Sequence, residues 1–349
     1  MGVLRFVLAL FVIFSHAGSN LTIPLWGNHM FQMYNFGGRN AVGIFYIISG
    51  FYMAMILTEK YSKSLKSFYV SRAMRLFPTY WFSLLVGFIF INSDFTRVMN
   101  MITMLPFTTQ IYYHVCNFMM IGSDTAYLVT AGWDGLHLDP FGVSETHNGF
   151  SFLLNPPVFT IGIEMLFYIL CPLIIKSLRI TMSFLIFGLA YHLAIKYFGV
   201  NNLMYQYHLF PSSLLYFTLG ILAYRLYQRG YSSIDNKTYK YFLLFAFVLF
   251  LTEPLLPNLY LFIFPLFVPS LFQLTKHNKI DRFLGDLSYP LYMIHYIVLK
   301  FFWSYGTDVK WLGTYVTLCS IAMAVIIHWF LERPVDKYRH NLAKRLQNK

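Results

Sequence analysis

Charge is what this sequence has least of. Only 11% of its 349 residues are Asp, Glu, Lys or Arg, against about 25% in soluble globular chains, and just 14 are acidic. A soluble fold could not cover its apolar surface with so little charge. Cysteine is scarce as well. Cys116, Cys171 and Cys319 are an odd number in unrelated settings with no CxxC, which gives neither a disulfide framework nor a zinc site. No soluble domain, internal repeat or low-complexity tract interrupts the chain. What is there is apolar: 57% of residues are hydrophobic and 20% aromatic, and the mean hydropathy is +0.55.

These residues fall in runs of roughly 17–22, the length that crosses ~30 Å of hydrocarbon as a helix. Bounded by charge, Pro, Gly and Asn, the runs predict ten spans near 3–18, 40–58, 74–92, 157–176, 180–198, 209–228, 240–253, 258–275, 284–304 and 311–331. The expected fold is all-α, a polytopic transmembrane helical bundle in which residues 1–349 form a single domain.

A net charge of +12 is also found in nucleic-acid binders, but here Lys and Arg sit between apolar runs rather than on one folded face. No nucleic-acid partner is expected; the lipid bilayer is. With both termini cytoplasmic, the inner segments hold 21 of the 26 Lys and Arg, leaving Arg39, Arg97, Lys196, Lys300 and Lys310 at or near the outer side. Two loops then lie outside, 19–39 and 93–156. The second holds Asp94, Asp124, Asp134, Asp139 and Glu145 and is the natural place to recognise an external acceptor. Its apolar stretch near 97–112 fits a re-entrant or surface helix. Arg5, a short apolar core and Ala17, Gly18 and Ser19 also imitate a signal peptide with a cleavage site.

Ionisable groups inside a bilayer are costly, so the few that occur in spans are functional candidates. Arg5 and His16 are eleven residues apart, nearly three helical turns, which puts both on one face about 16 Å apart. That distance is comparable with an extended pantetheine arm. Against this, Arg5 would merely set orientation and His16 would cap the outer helix end. Glu164 is the one acidic residue well inside a span, and it shares a helical face with Phe167 and Tyr168. It would orient a histidine or pair with an arginine, or else serve as an interhelical hydrogen bond. Arg72 and Arg75 share a face at the inner mouth of the third span; they fit a phosphate or simple positive-inside anchoring. Ser288, Tyr292 and His295 form a polar stripe that would line a cavity or join helices. His192 and His328 read as helix-contact or interfacial residues. His114, His137 and His147 with Asp134 and Asp139 are too irregularly spaced for a metal site, and no metal is expected.

In order and spacing, these residues resemble the integral membrane acyltransferases called acyltransferase 3. The resemblance runs from RFVLALFVIFSH at 5–16 and GIFYIISGF at 43–51 through FYVSRAMRLFPTYW at 68–81 and FTIGIEMLFYILCP at 159–172. It closes with LGDLSYPLYMIHY at 284–296 and HWFLERPVDKYR at 328–339. Phe159 stands where the family often has Trp, and Tyr46 where a second Phe is common. The resemblance implies transfer of an acyl group, most often acetyl, from cytoplasmic acyl-CoA (acetyl-CoA as donor) to a hydroxyl of a glycan acceptor at the outer face. His16 would match the essential histidine, acting as general base or as acyl carrier. Arg5, Arg72 and Arg75 would match donor-associated basic residues. Ser49, Gly50 and Phe51, with Glu164, match positions whose roles the resemblance leaves open. It further implies a multi-pass protein of a bacterial inner (plasma) membrane that retains residues 1–18. With about twenty residues after the last span, the membrane domain is expected to complete the transfer itself. A transporter of a glycan or anionic metabolite is the main rival, although no inverted repeat is visible; a nonenzymatic scaffold is another. Acceptor sugar, acyl size and oligomeric state stay open at this point.

Overall fold

The computed structural model describes residues 1–17, 33–139, 148–200, 202–231, 259–306 and 312–347. Long helices dominate: α1 (Gly2–Ala17), α2 (Met33–Glu59), α3 (Leu65–Phe90), α6 (Phe159–Ile174), α7 (Leu178–Tyr197), α8 (Phe210–Gln228), α11 (Lys279–Ser304), α12 (Leu312–Ile327) and α13 (Arg333–Gln347). Shorter ones are α4 (Asn92–Thr103), α5 (Phe107–His114), α9 (Leu259–Ile263) and α10 (Val268–Thr275). The protein is an all-α integral membrane protein. Among the described residues six helical stretches are long and apolar enough to cross a bilayer, and α1 is a shorter apolar helix.

The helices outrun the boundaries that charge suggested. α3 begins at Leu65, where the Ser64 hydroxyl caps the Ser67 amide at 3.2 Å. α11 begins at Lys279, with the Asn278 side chain accepting from the Ile280 and Asp281 amides at 2.9 and 3.1 Å. Both helices therefore carry their basic residues on continuous backbone, because a charged residue on an enclosed or end-facing helical turn does not stop the helix. The last span likewise continues past 331 through a π-turn at His328–Glu332 into α13. The expected span 258–275 is broken between α9 and α10 at Phe264–Leu266, where Pro265 removes an amide donor. The expected span 240–253 lies outside the described residues.

α2 packs against α1 and α8, and α11 against α1, α3 and α12. α7 lies outermost, presenting Ile186, Phe187, Leu189 and Leu193 to the surroundings, as a lipid-facing helix must. Contacts sort the chain into two ends. At one, Tyr224 donates to Glu59 Oε1 (3.0 Å), Arg225 to the Ile175 carbonyl (2.8 Å), and the Gly2 amide to Asp281 Oδ2 (2.7 Å). This is the basic end. At the other, Arg39 meets Gln206 (3.1 Å) and Lys300 meets Asp94 (2.7 Å).

The 93–156 region is more structured than a loop. α4 and α5 cover the stretch near 97–112, and a hairpin of β1 (Val129–Gly132) and β2 (Gly135–Leu138) follows, paired from Val129↔Leu138 to Gly132↔Gly135. Buried Asn117 ties it together, donating to the Phe152 carbonyl (2.8 Å) and accepting from the Leu154 amide (2.7 Å). Asp134 and His137 meet at 2.9 Å as an exposed pair on the hairpin; Glu145 and His147 lie outside the described residues.

Candidate active site

One feature of sequence decides how the site is assembled. A Cβ on Gly50 would sit 2.2 Å from the Phe217 carbonyl oxygen, and one on Gly220 would sit 2.0 Å from that of Ile47. α2 and α8 thus cross in backbone contact. The neighbours of Gly50 follow from that crossing: Phe51 turns into a cluster with Tyr52, Tyr224, Tyr227 and Phe272, and Ser49 faces α6.

There the Ser49 hydroxyl donates to Glu164 Oε1 at 2.5 Å, and the Tyr168 hydroxyl donates to the same oxygen at 2.6 Å. A carboxylate inside a bilayer needs such partners, and two converging donors fix its direction.

Beside this triad lies a cavity of about 440 Å³, within the ~300–1,000 Å³ of small-molecule sites. Arg5, Arg72, Arg75, Ser49, Glu164, Tyr168, Ser288 and Tyr292 all line it. Eight of the ten sequence candidates, drawn from α1, α2, α3, α6 and α11, are brought together. Its charge is uneven: Arg5, Arg72, Arg75, Lys276, Arg282 and Arg339 face three carboxylates, Glu164, Asp281 and Asp286. Asp281 is already engaged, accepting the Gly2 and Val3 amides at 2.7 and 2.9 Å and the Met1 amine at 2.7 Å. Burial pushes its carboxyl up, but these hydrogen bonds outweigh burial and hold it below the usual carboxylate range. Arg72 Nε is buried without a hydrogen-bond partner among the described residues. An unpaired buried guanidinium nitrogen is costly alone and favourable once an anion arrives. Arg75 shares a small cleft with Glu332 and Asp336.

His16 and His295 do not line this cavity. Tyr292 stands between the cavity and His295: its hydroxyl is 2.8 Å from the Thr160 hydroxyl, Phe45 packs edge-on at 6.3 Å between centroids, and His295 lies 5.6 Å away on its other side. One turn farther along α11, His295 is fully buried. Its ring centroid is 5.3 Å from that of His16, and Tyr296 packs edge-on against His16 at 5.7 Å. His16 itself is exposed at the end of α1. The straight course of α1 separates it from Arg5 by about 16 Å along the axis.

Sequence reasoning missed Tyr46, Thr160, Asp281 and Tyr296. Only Tyr46 carried a signal, as a departure from the resemblance; it is buried, lines the cavity and has a hydroxyl without a hydrogen-bond partner among the described residues. The others are ordinary in composition and acquire meaning from the helix they face.

The chain belongs to the acyltransferase domain family, whose sequence pattern matches residues 1–333. It is similar to a Staphylococcus aureus (strain COL) protein named "Putative O-acetyltransferase", 24% identical, with 88% of this chain and 54% of that protein covered. It is also similar to nodulation protein 10 of Rhizobium leguminosarum bv. viciae, 24% identical, with 98% of this chain and 94% of the relative covered. The chain spans about half the length of the staphylococcal relatives it matches. No solved structure matches it.

Proposed function

We propose that this protein is a membrane O-acyltransferase that moves an acyl group, acetyl in the first instance, from cytoplasmic acyl-CoA to a hydroxyl of a cell-surface or exported glycan. The observation that carries this reading is the cavity itself. Its basic end suits a polyanionic donor, and its far end stops at Tyr292, one helical turn short of the His16 and His295 rings. The staphylococcal relative's name supports O-acetyl transfer, and the positive-inside bias makes the basic end cytoplasmic. A bacterial inner membrane, with the glycan met at the opposite face, completes the reading.

In this mechanism Arg5, Arg72 and Arg75 hold the donor's phosphates, and the pantetheine arm reaches past Tyr292 to His16. In one route His16 takes the proton of the acceptor hydroxyl as its oxygen attacks the thioester carbonyl. The C–O bond forms, the C–S bond breaks, and the thiolate recovers the proton. In the other, a His16 nitrogen takes the acyl group first and passes it to the hydroxyl. Glu164, fixed by Ser49 and Tyr168, supplies the counter-charge that balances the cationic cavity.

The test is thiol release from acetyl-CoA by purified protein in nanodiscs with candidate glycans. His16→Ala is expected to abolish release while the protein still inserts. Full activity in His16→Ala removes the histidine from this role, and acetyl-CoA left intact by the wild type favours a carrier or scaffold. Accumulation of acyl-imidazole without acceptor selects the second route.

A further inference from the structure

The His295 side chain is fully buried, yet only one of its nitrogens has a partner among the described residues. Nδ1 lies 2.6 Å from the Tyr292 carbonyl oxygen, and Nε2 has no partner among the described residues. A carbonyl only accepts, so Nδ1 carries the proton, and a neutral ring then keeps its lone pair on Nε2. A buried acceptor of this kind costs free energy unless a donor reaches it.

The neighbouring ring with a nitrogen to offer is His16, 5.3 Å away between centroids with 35° between planes. An edge-to-edge N–H···N bond of about 2.9 Å puts two imidazole centroids a little over 5 Å apart, so the observed separation already matches. Reorientation of the His16 ring at the end of α1 would bring one of its nitrogens to His295 Nε2.

Resting on the acyl-transfer reading above, we propose that His295 is a positioning residue that fixes the tautomer of His16, so that the two rings work as a histidine pair. His16 N–H donates to His295 Nε2, which leaves the other His16 nitrogen unprotonated and aimed at the acceptor hydroxyl or thioester. When that nitrogen takes the hydroxyl proton, the imidazolium shares its first proton with His295 Nε2, and the Tyr292 carbonyl supports the Nδ1–H behind it. When the proton leaves for the departing thiolate, the pair returns to its starting tautomers. In the acyl-carrier route, the same bond draws proton density from the ring as the attacking nitrogen becomes acylated.

Two substitutions separate positioning from packing. His295→Asn keeps a donor near the Tyr292 carbonyl and loses the acceptor at the Nε2 position; His295→Gln places an amide oxygen where Nε2 was. The expected result is a fall in kcat of about 10²-fold or more in His295→Asn, a loss within about tenfold in His295→Gln, and an unchanged KM for acetyl-CoA in both. Equal activity in the two variants, a better Asn than Gln variant, or a change confined to KM overturns the proposal. Wild-type protein labelled with ¹⁵N-histidine in nanodiscs gives a readout independent of turnover. A nitrogen–nitrogen coupling across the pair, with His295 protonated on Nδ1, is expected; its absence, or a His295 protonated on Nε2, overturns the pair even if the variants fail to fold. A wild type that shows the coupling but releases no thiol overturns the acyl-transfer reading and leaves the pair standing.

Discussion

The hydroxyls of Tyr292 on α11 and Thr160 on α6 lie 2.8 Å apart, at the edge of the basic cavity nearest the two histidines. Because the Tyr292 ring also meets Phe45 and His295, it narrows the way by which the donor's acyl end would reach His16. Replacing Tyr292 with Ala should relax selection for short acyl groups. The turnover of propionyl-CoA relative to acetyl-CoA is expected to rise about tenfold, since one methylene in a pocket is worth about 1–3 kcal/mol. An unchanged ratio, measured by thiol release, removes Tyr292 from chain-length selection.

Arg72, which lines the cavity, has a buried Nε without a hydrogen-bond partner among the described residues. Lys keeps the charge and loses the planar fork that matches phosphate. In Arg72→Lys the KM for acetyl-CoA should rise about tenfold with kcat within about twofold, corresponding to one charge-assisted hydrogen bond of about 1.5–3 kcal/mol. Steady-state kinetics decide it; a fall in kcat at constant KM places Arg72 at the reacting atoms instead.

Gly50 cannot carry a side chain without moving α8, because its Cβ would meet the Phe217 carbonyl at 2.2 Å. Gly50→Ala should cost about 1–3 kcal/mol of stability by overpacking. Separation of α2 from α8 would also pull Ser49 from Glu164, so donor binding should weaken together with the unfolding temperature. A variant as stable as the wild type would show that the crossing has slack.

At the end of the protein opposite the basic cavity, α4 is fastened to α11 by Asp94, which accepts from Arg97 (2.5 Å) and Lys300 (2.7 Å). Partial burial pushes the Asp94 carboxyl up, but the two cationic hydrogen bonds prevail and hold it below its ordinary value. A lowered carboxylate stabilises the fold above the unfolded pKa of about 3.9 and loses that contribution as pH falls through the lower folded value. Asp94→Asn should therefore lower the unfolding temperature at pH 7, and the gap from wild type should close below about pH 4. A gap that persists in acid would mean the carboxylate's charge is not what fastens α4.

Much of the site was readable in the order of residues. Arg5, Arg72, Arg75, Ser49, Glu164 and Tyr168 converge on one cavity because each is a rare polar group in an apolar helix, and a bilayer tolerates such groups only facing inward. The Glu164–Tyr168 bond follows from i, i+4 spacing alone. Helix ends were less legible. Charge marks the membrane boundary in sequence, whereas α3 and α11 include Lys66 and Lys279 because the Ser64 and Asn278 side-chain caps, not charge, set where these helices begin.

Sequence by itself determined the class: hydrophobic run length and the scarcity of charge made this an all-α membrane protein, and six motifs in order placed it in its family. Local periodicity is sufficient for both. Tertiary structure alone decided that His16 stands beside His295 and apart from the cavity that holds Arg5, with Tyr292 between them. Those relationships join residues more than a hundred positions apart. They depend on how closely α1, α6 and α11 approach, which packing fixes and no spacing along one helix records.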